Sequence, residues 1–166
     1  MRARRARIDR VTKETRIRLS LVIDGRGEGR VDTGIPFFDH MLTLFAKHAV
    51  VDLELRCRGD LEVDAHHTVE DCAICLGQAL DQALGDKKGI VRFGHAYAPL
   101  DEALARAVVD LSGRPAAVVN LGLQTAKIGQ IASQNLSHAI ESIAAAARIT
   151  IHVDVKIGRA SCRERV

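Results

Sequence analysis

Three residues near the middle of the chain could share a cation: His66, His67 and Glu70, in the run Asp64-Ala65-His66-His67-Thr68-Val69-Glu70. At a helix entrance His66 and Glu70 stand one turn apart and His67 shares a face with Glu70, so imidazole and carboxylate can converge on one ion. Neighbouring helical residues point about 100° apart, so the two histidines address two different metals. Two nitrogens and an oxygen suit zinc, manganese or iron rather than calcium. A solvated helix start is the plainer alternative.

Other candidates are scattered. His40, after Phe37-Phe38-Asp39, is either a ligand or a histidine hydrogen-bonded within the fold. His152 interrupts an apolar strand and points away from Ile149 and Ile151, as a ligand or as an exposed edge residue. His48, His95 and His138 are read as structural. Arg92 and Arg114 lie in glycine-flanked turns, where a guanidinium can fork onto phosphate oxygens or simply be solvated. Glu14, in Thr12-Lys13-Glu14-Thr15, precedes an amphipathic strand and could move a proton beside a metal.

The elements that must position these residues alternate between strand and helix. Ile17, Leu19, Leu21 and Ile23 alternate with polar residues and predict a half-buried strand over 15–23. Apolar spacings of three and four predict a helix over 36–48. A strand over 50–57 and a helix over 68–84, stopped by Gly85, follow. Strands over 106–111 and 116–121, a helix over 133–147 and a strand over 149–155 complete the series. The order repeats. At an offset of 88, Glu14 falls on Glu102, Gly25 on Gly113, Arg26 on Arg114 and Gly34 on Gly122. At an offset of 98, His40 falls on His138 and the strand 51–57 on 149–155. The step between the offsets places an insertion near residues 123–132. An internal duplication follows, with one half over about 1–90 and the other from about 91, each a small sheet covered by helices.

Composition excludes several classes. The 166 residues are 47% hydrophobic, enough for one good core, and only 3% aromatic, too few for the stacking platforms of single-stranded nucleic-acid binders. No apolar run reaches about 18 residues, and the basic N-terminus lacks the apolar stretch of a secretory signal. Cys57, Cys72 and Cys75, with Cys162 near the end, fit a reducing cytoplasm. The Cys72-Cys75 spacing sits in an apolar helical run and reads as small buried residues. The net charge of +3 lies wholly in residues 156–166, KIGRASCRERV; without them 20 bases balance 20 acids. Read back into codons, that tail matches a translated short-read sequencing adapter, so residues 156–166 are expected to be non-native and to lie outside the domain of residues 1–155.

The segments TKETRI (12–17), GIPFFDHML (34–42), DAHHTVEDCAICLG (64–77), RFG (92–94), PLDEALARAVVDLSGRP (99–115) and NLSHAIES (135–142) resemble the imidazoleglycerol-phosphate dehydratase family of histidine biosynthesis, from about Ala6 to Val155. The resemblance implies an α+β fold of duplicated two-layer sheet/helix halves, akin to the second domain of ribosomal protein S5. It also implies assembly through trimers into a twenty-four-subunit shell, with two manganese ions per site built between neighbouring subunits. Carried over by the resemblance, His40, His66, His67, Glu70 and His152 are metal ligands. Arg92 and Arg114 bind the substrate phosphate, Glu14 contacts the substrate, and Glu14 and Glu70 are the catalytic carboxylates. The implied reaction removes water from imidazole glycerol phosphate to give imidazole acetol phosphate. Metals on the imidazole help expel the neighbouring hydroxyl, and a carboxylate takes the carbon-bound proton. A different di-metal hydrolase or a non-catalytic fragment are the alternatives. The family repeats its His-His-x-x-Glu motif where this chain carries the adapter-like tail, so the 166-residue polypeptide as written is expected to be inactive and to assemble poorly.

Overall fold

Alternation builds the first sheet. In β2 (Thr15–Val22), Ile17, Leu19 and Leu21 are buried while Arg16, Arg18 and Ser20 face water, the pattern of a strand with one covered face. The computed structural model describes residues 4–157. In it β2 lies antiparallel between β1 (Arg5–Val11) and β4 (Asp52–Gly59), and β3 (Gly29–Asp32) runs parallel on the far side of β4. α1 (Pro36–Ala49) opens on a proline, whose fixed φ suits a first helical turn, and buries Phe38, Leu42 and Ala46. α2 (His66–Leu84) lays Val69, Cys72, Ala73, Leu76 and Ala79 over β1 and β2. It starts two residues before the expected Thr68, where the Asp64 carboxylate accepts the His66 N–H at 2.6 Å.

The second half repeats this order. β5 (Phe93–Leu100), β6 (Ala103–Asp110) and β7 (Ala116–Asn120) come first. The hairpin β8 (Lys127–Ile128) and β9 (Ile131–Ala132), α3 (Ser133–Ala147) and β10 (Thr150–Ile157) follow. The sheet order β5-β6-β10-β7 matches β1-β2-β4-β3. The match extends to register. Arg5 pairs with Val22 and Phe93 with Asp110, Leu21 with Leu53 and Val109 with Ile151, Val31 with Leu55 and Val119 with Val153. Each second pair is the first displaced by the offsets of 88 and 98. The insertion near 123–132 is the β8–β9 hairpin, which buries Ile131 in the main core. α1 and α3 even end alike, on left-handed Val50 (φ 56) and Arg148 (φ 52).

α2 packs on the first sheet, α3 on β7, and the two helices on each other. Gly77 permits that approach: a Cβ there would meet the Ala146 Cβ and the Ile143 carbonyl oxygen, each at 2.6 Å. Cys57, Cys72 and Cys75 are buried free thiols, and burial pushes Cys75 up to about 11, as suits core residues. β1, β3 and β5 were not among the expected strands. β1 turns only Ala6 and Ile8 inward, and β5 is exposed along its whole length, so neither carries a strong apolar alternation. No helix among the described residues is long and apolar enough to cross a membrane. Cys162, and the tail beyond residue 157, lie outside the described residues.

Candidate metal centre

The first turn of α2 presents His66 and Glu70 on one face, and α3 brings His138 against them. His66 Nε2 lies 3.3 Å from Glu70 Oε2, and His138 Nε2 lies 3.0 Å from Glu70 Oε1. One ligand atom from each of the three falls within 4.8 Å of the others. Atoms at adjacent coordination positions, each about 2.1 Å from a metal, stand about 3 Å apart, so this spacing suits a small divalent cation. The two imidazoles stack, with ring centres 5.6 Å apart and planes inclined by 14°. His66 Nδ1 lies 3.4 Å from the side-chain oxygen of buried Asn135. With its proton there, Nε2 keeps its lone pair for a metal, the usual arrangement of a ligating histidine.

His67 turns to different partners. Its ring is tilted 59° from that of His66 with centres 5.8 Å apart, and its Nδ1 lies 2.9 Å from Asp60 Oδ2. The hydrogen bond to Asp60 raises the His67 pKa above its ordinary value, and the nearby Glu14 and Asp64 carboxylates add to the rise. Glu14, in the turn between β1 and β2, is thus at the same end of α2 as His67. Asp71, buried and one residue past Glu70, fastens that turn to the helix.

His138 has no acidic or histidine neighbour at helical spacing before it in sequence, so nothing local marks it as a ligand. The repeat held the signal, because His40 falls on His138 at the offset of 98. His40 itself stands exposed on α1, outside the group. His152 is not brought to it either. On β10, Ile151 packs with Ala144, Ala147 and Ile149, so alternation sends the exposed His152 to the opposite face, between Val108 and Val118. Within one chain His152 therefore stands on the outer surface of the second sheet, apart from this group.

Arg92 is paired with Asp110, whose carboxyl also feels the field of Arg114. Arg92 donates to Asp110 from Nε at 2.6 Å and Nη2 at 3.0 Å, and its guanidinium lies 4.9 Å from the centre of the Phe93 ring. The Arg92 bond, with the field of Arg114, holds the Asp110 carboxyl below its usual range. This pair lies far from the histidines. α2 and α3 run side by side in one direction, with His66 beside His138 at the start and Asp81 beside Arg148 (3.2 Å) at the end. Thr150 Oγ1 donates to the Arg114 carbonyl at 3.2 Å, at that far end. The rise from His66 to Asp81 is about 22 Å.

Residues 33–163 match the family model described as imidazoleglycerol-phosphate dehydratase. The chain belongs to the imidazoleglycerol-phosphate dehydratase family. It is similar to the imidazoleglycerol-phosphate dehydratase of Chloroflexus aurantiacus, 52% identical over 158 residues that cover 95% of this chain and 77% of that one. The Salinibacter ruber relative is 54% identical over 155 residues, covering 93% and 77%. The crystal structure of the Staphylococcus aureus imidazoleglycerol-phosphate dehydratase superposes with a TM-score of 0.84 at 34% identity, covering 96% of this chain and 88% of that chain. That of Pyrococcus furiosus, in complex with (S)-C348, gives 0.78 at 35% identity, covering 92% and 81%. Imidazoleglycerol-phosphate dehydratases are hydro-lyases of histidine biosynthesis.

Proposed function

We propose that His66, Glu70 and His138 hold a divalent metal, manganese in the cytoplasm, and that this centre serves the dehydration of imidazole glycerol phosphate. The convergence of two imidazoles and one carboxylate from α2 and α3 carries the reading. His67, with its Nδ1 side on Asp60, and His40, exposed on α1, are the residues for a second metal. When bound, such metals supply Lewis acidity toward a substrate imidazole.

The remaining chemistry belongs to side chains. Glu14 takes the carbon-bound proton and returns it during tautomerisation of the enol, and Glu70 keeps negative charge beside the imidazoles. Arg92 and Arg114 bind the phosphate, with Asp110 orienting the Arg92 fork so that its remaining N–H groups face the ligand. Phosphate binding then positions the reacting carbon. A small phosphorylated substrate cannot span the length of α2, so the arginines serve a centre whose metal residues come from a second copy. Support comes from the placement of the two groups at opposite ends of one chain.

Calorimetric titration with imidazole glycerol phosphate tests this reading. The manganese-loaded protein binds the substrate and the chelator-treated protein does not; equal binding by both contradicts it.

A further inference from the structure

The turn that carries Glu14 is tied to α2 by a carboxylate outside the metal group. Asp71 follows Glu70 in sequence, points about 100° further round the helix, and is buried against β1 and β2. Its Oδ1 accepts from Arg10 Nη2 at 2.8 Å and Nε at 3.1 Å. Its Oδ2 accepts from Thr15 Oγ1 at 2.5 Å and lies 3.5 Å from Thr12 Oγ1. Thr12 Oγ1 in turn accepts the backbone N–H of Glu14 at 3.2 Å and of Thr15 at 2.9 Å. An unbroken path of hydrogen bonds therefore runs from α2, next to Glu70, to the backbone of Glu14.

The hairpin does not need this path in order to form. At the offset of 88 the second half holds the same hairpin, with Leu100 paired to Ala103, and there Ala98, Leu100 and Ala103 stand for Arg10, Thr12 and Thr15. The hairpin therefore forms without counterparts of the Arg10, Thr12 and Thr15 side chains, and in the first half the Thr12 N–H also donates to the Thr15 carbonyl at 2.9 Å. Burying a carboxylate is unfavourable unless it is fully paired, and a buried ion pair is weak evidence for stability. What the network adds in the first half is a defined place for Glu14 relative to the helix that carries His66, His67 and Glu70.

We propose that Asp71 is a positioning residue: through Arg10, Thr12 and Thr15 it holds Glu14 at the N-terminal end of α2, where Glu14 meets the substrate. This rests on the reading of Glu14 as a substrate-contacting acid, and one set of titrations separates the two. Affinity for imidazole glycerol phosphate is measured on the manganese-loaded chain and on Glu14→Gln, Asp71→Asn, the double variant, and Thr12→Ala. Thr12→Ala cuts the last link of the path while leaving the Asp71–Arg10 pair intact. Manganese affinity is measured on each.

Asp71→Asn and Thr12→Ala are expected to weaken substrate binding about tenfold, as displacement of a contacting group does. The double variant is expected to be no weaker than Glu14→Gln, because the two changes remove one contact. Manganese affinity is expected to stay at the parental value. If Asp71→Asn does not fold, Thr12→Ala combined with Glu14→Gln makes the same comparison. Additive losses, a loss of manganese affinity, or unchanged substrate binding in Asp71→Asn and Thr12→Ala while Glu14→Gln is impaired, overturns the positioning role alone. Unchanged binding in Glu14→Gln overturns the reading of Glu14 and the proposal with it.

Discussion

His138 Nε2 lies 3.0 Å from Glu70 Oε1 across a sequence separation of 68 residues. That contact joins α2 of the first half to α3 of the second, so the site is a product of the duplication rather than of either half. Its geometry depends on how closely the two helices approach each other.

Gly77 sets that approach, and Gly77→Ala is expected to destabilise the protein by about 1–3 kcal/mol, the usual effect of forcing atoms into a packed contact. The added methyl would press on the Ala146 side chain and the Ile143 carbonyl, and neither is the flexible end of a long side chain. Urea denaturation of parent and variant reads the loss directly. A variant with an unchanged midpoint and slope would show that the helices can part freely.

Much of this architecture was legible in the residues because the signals were local and strong. β2 alternates without a fault and α3 spans the expected residues 133–147. β5 escaped because exposed Phe93, Tyr97 and Leu100 lie among small residues on a strand that buries nothing. Of the site, His66 and Glu70 were legible because helical spacing alone puts them together. His138 was not, since no local spacing reports a partner on another helix, although its match to His40 in the repeat pointed to it. The place of His152 was legible in the strand pattern: a side chain opposite Ile149 and Ile151 faces away from the helices.

The outer surface of the second sheet should report its own titration. Asn120 and Arg106 donate to Asp154 at 3.0 and 2.6 Å and hold its carboxyl at about 2, below its ordinary value of 3.8. A pKa depressed by folding contributes stability above the unfolded value, and the contribution disappears as pH falls through the folded one. Asp154→Asn is therefore expected to lower Tm at neutral pH, with the difference closing between about pH 4 and about pH 2. Thermal melting of both proteins across that range checks it. A difference that persists undiminished at the acid end would contradict the assignment.

If the arginines and the metal residues of one site come from different copies, defective chains should rescue each other. His138→Ala and Arg114→Ala chains are each expected to lose binding of imidazole glycerol phosphate in the presence of manganese. Unfolded together and refolded as a mixture, they are expected to recover about a quarter of the sites, the fraction that random pairing makes intact. Titration of the mixture counts them. No recovery, from a mixture shown to assemble, would place all the binding residues within one chain.

The proposed function stands on a metal centre of His66, Glu70 and His138. Electron paramagnetic resonance of free manganese in titrations of the parent, His138→Ala and His152→Ala tests it most directly. His138→Ala is expected to weaken manganese binding by at least about tenfold, while His152→Ala binds as the parent does. Parental affinity in His138→Ala, or a comparable loss in His152→Ala, would contradict it.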